Sequence, residues 1–222
     1  MGSEDTKLAL MRAAEKLFAE KGLNAISMRE ISLAAGQANP SAAGYHFSSK
    51  IGIIDAILAR HCMPIQDEWI TFLDSHSPDA ITVRDLIRVM LVPIIEKLDD
   101  PDGGVEYISI CAQLCSHPIW PLIYRPISRG EGALRLGGAL MQRAGLPHDV
   151  ITLRMQRSAS VMYNSICEYY RMGGVVSREI FVSDLIDTME ALCTFVSDET
   201  VEIAGRFQSS ISESSSVDER PD

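Results

Sequence analysis

Several things are missing from this 222-residue chain, and each absence removes a class of function. No run of eighteen apolar residues occurs, so no membrane-spanning helix is expected. The opening "MGSEDTKLAL" is acidic and polar, without the basic-then-apolar order of a secretory signal, which predicts a cytoplasmic protein. The five cysteines, at 62, 111, 115, 167 and 193, are odd in number and lack the spacing of a disulfide framework, in keeping with a reducing compartment. Phosphate-binding, dinucleotide-binding, zinc-protease and serine-hydrolase signatures are all absent, so the chain is not expected to be an enzyme or to hold a cofactor.

Basic charge is also scarce. A net charge of −10 argues, for the whole chain, against nucleic-acid binding, because neutralising phosphates needs clustered Lys and Arg. The distribution is uneven, however. Residues 1 to 50 hold six basic and five acidic side chains, leaving −11 on the remaining 172 residues. An N-terminal unit relieved of the negative field of the rest has the balance of a DNA-contacting head on an acidic body.

The first fifty residues contain three helix starts. Leu10, Ala14, Leu17 and Phe18 recur at helical spacing from Thr6 to Glu20, and Gly22 supplies a stop. Ser27 with Glu30 three residues later forms a capping box, and Ile26 with Ile31 occupies the positions of a hydrophobic staple, so a second helix begins at Met28 and stops at Gly36. Asn39 followed by Pro40 predicts a third start, with Asn39 as N-cap and a helix from Pro40 to His46. Two helices this short are unstable alone. They require a mini-core, for which Leu17, Phe18, Ile31, Ala35 and Phe47 are the candidates, with small Ala34 and Ala35 beside Gly36 permitting a close helix crossing.

Beyond Lys50 the pattern stays helical: Lys50 to His61, Ile65 to Asp74, Val83 to Leu98, Val105 to Ser116, Ser128 to Arg143, Asp149 to Arg171 and Phe181 to Ser197. Pro93 predicts a kink or half-turn break. No strand alternation or internal repeat is visible, and the fold class is all-α. Three regions follow: a helix-turn-helix head over 1–50, a helical body over 51–205, and an acidic serine-rich tail over 206–222 expected to be disordered.

The stretches "SMREISLAAG" and "YHFSSK", leading into an apolar helix and some 150 residues of helical body, resemble the TetR family of bacterial transcriptional repressors. The likeness is specific over residues 6 to 58 and architectural beyond. Between Gly36 and Phe47 this chain holds one residue more than the commonest family pattern, and a subset with Asn in the turn and Tyr-His-Phe at the end of the third helix fits better, through Asn39, Ala42, Tyr45, His46 and Phe47. The resemblance implies that the third helix enters the major groove and that the body dimerises and binds a small effector.

On that reading Gln37, Asn39 and Ser41 are candidate base-edge donors, and Ala42 a contact for a thymine methyl. Tyr45, His46, Lys50, Ser27 and Arg29 are candidate phosphate contacts. Gly44 costs about 1 kcal/mol relative to alanine inside a helix, which a packing role alone does not explain. Trp69, Met90, Tyr107, Trp120 and Tyr124 are candidates for an effector pocket, each equally suited to a core. Met155, Met162, Ile166, Leu185, Met189 and Leu192 are candidates for a dimer face on the two last long helices. Cys111 and Cys115 lie one turn apart with His117 close by, but no further ligand is evident and no metal is expected; buried free thiols are the plainer reading. The different-class alternatives are a protein-binding adaptor with a helix-turn-helix-like head, and a helical-bundle enzyme.

Overall fold

The structure is a computed structural model that describes residues 3–117 and 130–206. The expected tail therefore lies outside the described residues except for Arg206, as do Trp120 and Tyr124. Among the described residues the regular structure is entirely helical: α1 (Ser3–Lys21), α2 (Met28–Ala34), α3 (Ala42–Phe47), α4 (Lys50–Ser75), α5 (Val83–Glu96), α6 (Gly104–Cys115), α7 (Glu131–Ala144), α8 (His148–Arg171), α9 (Arg178–Thr194) and α10 (198–206). Short 3-10 turns at Pro78–Ala80 and Lys97–Asp99 flank α5. None of these helices is long and apolar enough to cross a membrane.

α1, α2 and α3 close over Phe18, Ile26, Ile31, Ala43 and Phe47, all buried. This small core is continuous with that of the body, because α4 starts beneath α3 and carries Ile53, Ile54, Ile57 and Leu58 inward. Both ends of the expected staple are buried, Ile26 and Ile31, and hold the entry to α2. Ser49 caps α4 by accepting a hydrogen bond from the Gly52 N–H.

One expected break is absent. Residues 50 to 75 form one helix with Pro64 inside it, where two helices separated at "CMP" were expected. A mid-helix proline costs one backbone hydrogen bond, but Leu58, Cys62 and Ile65 on either side of it are buried and hold the axis through the defect. Pro93 is likewise contained within α5, which continues to Glu96 before tightening into the 3-10 turn. At the start of α5, Thr82 and Asp85 form a second capping box, and α9 starts three residues earlier than expected because Ser177 accepts from the Ile180 N–H.

Charge pairing joins head to body. Glu15 on α1 is 1% exposed. It accepts from Arg60 Nη1 at 2.9 and 3.1 Å, and His61 Nε2 stands 3.0 Å away. Arg60 also pairs with the Asp102 carboxylate and donates to the Asp102 carbonyl, while Arg12 grips Asp102 bidentately at 2.7 and 2.9 Å. The Gly103 backbone, at φ +89°, lies so close that a Cβ there would sit 2.5 Å from Glu15 Oε2. A neutral bracket lies alongside: Gln113 of α6 accepts from the Leu23 N–H and donates to the Phe18 carbonyl.

Candidate nucleic-acid interface and body cavity

The turn between α2 and α3 is built from side-chain and backbone hydrogen bonds. Ser27 accepts from the Glu30 N–H while the Glu30 carboxylate accepts from both the Ser27 N–H and hydroxyl, the complete capping box. Those hydrogen bonds hold the Glu30 carboxyl below the ordinary range. Gly36 ends the helix at φ +68°, a conformation side chains disfavour, with open space around it. The close crossing does not come from Ala34, which is exposed, or from Gly36. It comes from Ser32, fully buried, whose hydroxyl donates to the Met28 carbonyl and accepts from the Ala43 N–H at 3.0 Å. A lone serine in the apolar stripe of α2 was the available signal for this role.

α3 begins two residues later than expected. Asn39 accepts from the Ser41 N–H at 2.9 Å, an Asx turn that closes the chain on itself before the helix, so Pro40 lies in the turn rather than at the first helical position. That shift decides which face points where. Ala42, Ala43 and Phe47 turn inward, and Ala42 is only 8% exposed, so it is a core residue rather than a contact for a thymine methyl. Ser41, Gly44 and Tyr45 face out, with Tyr45 84% exposed. The His46 ring meets the edge of Tyr45 at 5.2 Å between centroids. A Cβ on Gly44 would touch nothing within 4 Å, so no intramolecular packing requires glycine there.

Other expected contacts sit around this ridge. Asn39 and Arg29 are exposed, and Gln37 is half-buried with its amide donating to the Ala35 carbonyl. The Ser27 hydroxyl is committed to the capping box. Lys50 spends its ammonium on the Leu23 and Asn24 carbonyls, at 3.0 and 3.5 Å, and so pins the loop after α1 to the start of α4.

The body encloses a cavity of about 110 Å³ between α4, α5, α6, α7, α8 and α9. Trp69 and Met90 are among the residues that line it. Tyr107 is not: it is fully buried behind the wall, its ring stacked on His61 at 4.8 Å and its hydroxyl within hydrogen-bonding distance of Cys62 Sγ (3.0 Å) and the Tyr163 hydroxyl (3.3 Å). Met155, Met162 and Met189, expected on a dimer face, line the cavity instead. Ile166, Leu185 and Met189 are 0 to 3% exposed within the single chain, and Leu192 packs against the same core. Within the single chain the apolar stripe of α8 and α9 therefore packs inward, with Met155 and Leu192 left half-buried. Outward on α8, α9 and the segment after α9 stand Leu153, Ile180 and Phe195, at 52, 62 and 70% exposed.

Cys111 is fully buried and Cys115 half-buried, and burial raises both thiols, Cys115 to about 11. His117 Nε2 stands 2.9 Å from the Asn24 side-chain oxygen. Among the described residues no three His, Cys, Asp or Glu side chains gather as a metal site would require.

A short helix propped by a turn, with its outer ridge bare and its inner face locked onto a helical body, has the geometry of a helix-turn-helix head. Residues 10–57 match the model of the family described as bacterial regulatory proteins, tetR family. The match covers 48 of the 222 residues, running from within α1 through α2 and α3 into the start of α4. Solved structures aligned with it include a TetR-family transcriptional regulator from Rhodococcus sp., 16% identical, covering 86% of this chain and 100% of that one at a TM-score of 0.46. Another, from Mesorhizobium loti MAFF303099, is 17% identical and covers 86% of this chain and 96% of that one at a TM-score of 0.49. No curated protein matches the sequence.

Proposed function

We propose that the protein is a ligand-responsive cytoplasmic repressor that binds a palindromic operator as a homodimer through α3 and is released when a small apolar or aromatic effector occupies the body cavity. The observation that carries the DNA reading is the outward ridge of α3, where an 84% exposed tyrosine stands beside a glycine that no packing explains. A groove-entering helix needs close approach, polar reach and no bulky apolar armour on its outer face. Ser41 and Asn39 reach base edges at the leading end of this ridge, with Gln37 behind them; Tyr45, His46 and Arg29 take phosphates. Lys50 acts by holding the loop after α1.

A head so poor in cations needs two copies on one duplex for useful affinity. Two heads set about 34 Å apart meet successive major grooves of a palindrome. The exposed apolar groups Leu153, Ile180 and Phe195 support a pairing face on the outside of α8 and α9, since exposed apolar patches favour association.

The test is fluorescence anisotropy on duplexes from the gene's own upstream region. Tyr45→Ala should abolish specific binding, and because Tyr45 covers almost nothing, stability should move by less than about 0.5 kcal/mol. Gly44→Ala should stabilise the head by up to about 1 kcal/mol while weakening DNA binding. If Gly44→Ala leaves affinity untouched, or binding proves insensitive to salt, the ridge is not a groove reader and the adaptor reading takes its place.

A further inference from the structure

The cavity also carries a statement about what fills it, which rests on the effector reading above. Among the described residues, the buried side-chain nitrogen and oxygen atoms without a hydrogen-bond partner are Trp69 Nε1 and Ser158 Oγ. Both residues line this one cavity. Buried polar groups are almost always paired in folded proteins, so two unpaired groups on residues that line one cavity point to a partner supplied from outside the chain. We infer that the cavity receives a small uncharged ligand bearing a hydrogen-bond acceptor, a monocyclic carbonyl compound such as a ketone or lactone, and that Trp69 and Ser158 are the groups that read the carbonyl oxygen.

The chemistry of the wall narrows the class. An indole N–H only donates, so the ligand must accept; a serine hydroxyl does either. Among the described residues, no Lys, Arg, His, Asp or Glu lines the space. Burial raises the Cys111 and Cys193 thiols and the Tyr163 phenol, which keeps them neutral at pH 7. A carboxylate, phosphate or ammonium would find no counter-charge among the described lining and would lose its hydration. Ser158 lies near the Cys193 thiol, a weak and easily surrendered acceptor, while the Tyr163 hydroxyl already faces that of Tyr107.

Size sets the remaining limit. About 110 Å³ is somewhat less than the ~150 Å³ apolar cavity that admits benzene, and well below the pockets of drug-sized ligands. Four methionines in the wall, Met90, Met155, Met162 and Met189, provide the give that a single ring with one oxygen needs. Gly137 keeps the space open on the α7 side, where a Cβ would come to 3.1 Å from Met155 Cε.

The experiment measures binding of three probes to the full chain by ligand-observed NMR titration: cyclohexanone, the hydrocarbon methylenecyclohexane, and cyclohexanecarboxylate. Trp69→Phe keeps a ring and removes the donor; Ser158→Ala is a smaller change in case the first variant fails to fold. The expected result is that each variant weakens cyclohexanone by about five- to ten-fold and leaves methylenecyclohexane within about two-fold. Equal effects on ketone and hydrocarbon, or none on either, would overturn the assigned ligand class while leaving the cavity as a binding site. Tighter binding of the carboxylate to the unaltered protein would overturn it as well. Failure of all three probes to bind would remove the inference together with the effector reading beneath it.

Discussion

Replacing Glu15 with alanine is the most demanding test of how the head is held. In the native chain this carboxylate is 1% exposed and takes two hydrogen bonds from Arg60, with His61 Nε2 3.0 Å from the same oxygen. Its removal leaves a guanidinium that is only 20% exposed, still held by Asp102, facing an empty site, and a histidine that is 2% exposed with nothing opposite Nε2, Asp100 remaining 4.0 Å from Nδ1. Breaking a buried pair by deleting one member costs about 3–5 kcal/mol, because the survivor stays desolvated. Against a total stability of about 5–15 kcal/mol for a domain, that is a large fraction. Urea unfolding followed by far-UV circular dichroism should show the midpoint falling with little change in slope. Glu15→Gln keeps the shape and one acceptor oxygen and should lose about 1.5–3 kcal/mol, the worth of a charge-assisted hydrogen bond. A loss below about 1 kcal/mol for Glu15→Ala would refute the reasoning, since it would put this pair among ordinary surface ion pairs.

Ser32→Ala should cost about 1–3 kcal/mol by leaving the buried Ala43 N–H without an acceptor, and the same variant should weaken DNA binding in anisotropy by loosening α3 on α2. The Arg12 hydrogen bonds, and Arg60 beside them, hold the Asp102 carboxyl below the ordinary range. A depressed carboxyl contributes stability that is present above its unfolded pKa of about 3.9 and is lost as pH falls through the folded value. Asp102→Asn should therefore destabilise at pH 6 to 7, and the difference from the parent protein should begin to shrink below about pH 4 and keep shrinking as pH falls further; a difference unchanged between about pH 5 and pH 2 would contradict the assignment. Burial raises the thiols of Cys62, Cys111, Cys115, Cys167 and Cys193, so all five should react slowly with a thiol reagent at pH 7 and quickly in urea. One fast native cysteine would refute this.

What could be seen in the chain beforehand follows the range of the interactions concerned. The Ser27–Glu30 box and the stop at Gly36 are contained within ten residues and announce themselves locally. Asn39 was recognisable as a capping type, but whether its oxygen serves a turn or a helix depends on how Ser32 draws Ala43 inward, and that two-residue difference turned Ala42 from the outer face to the inner. Periodicity showed that Met155, Met162, Leu185 and Met189 share an apolar face without showing what covers it, and α4 to α7 of the same chain do so. Pro64 looked like a boundary because its local cost is visible, whereas the burial on either side that overrides it is tertiary. Glu15, Arg60 and Asp102 are 42 to 87 positions apart, and nothing in their spacing announces that they meet.

α4 has one end beneath the reading head and places Trp69 in the cavity wall nineteen residues later. At 1.5 Å per residue that separation is roughly 28 Å of continuous rod. Tilting such a rod by about 5° at the tryptophan end displaces the far end by roughly 2.5 Å, close to the reach of a single hydrogen bond. Pro64, in the stretch between, removes one rung of the backbone ladder, but buried Leu58, Cys62 and Ile65 keep the rod continuous across it. One continuous helix thus ties the wall of the cavity to the footing of α3, so that a change of angle at the first is felt as a change of position at the second.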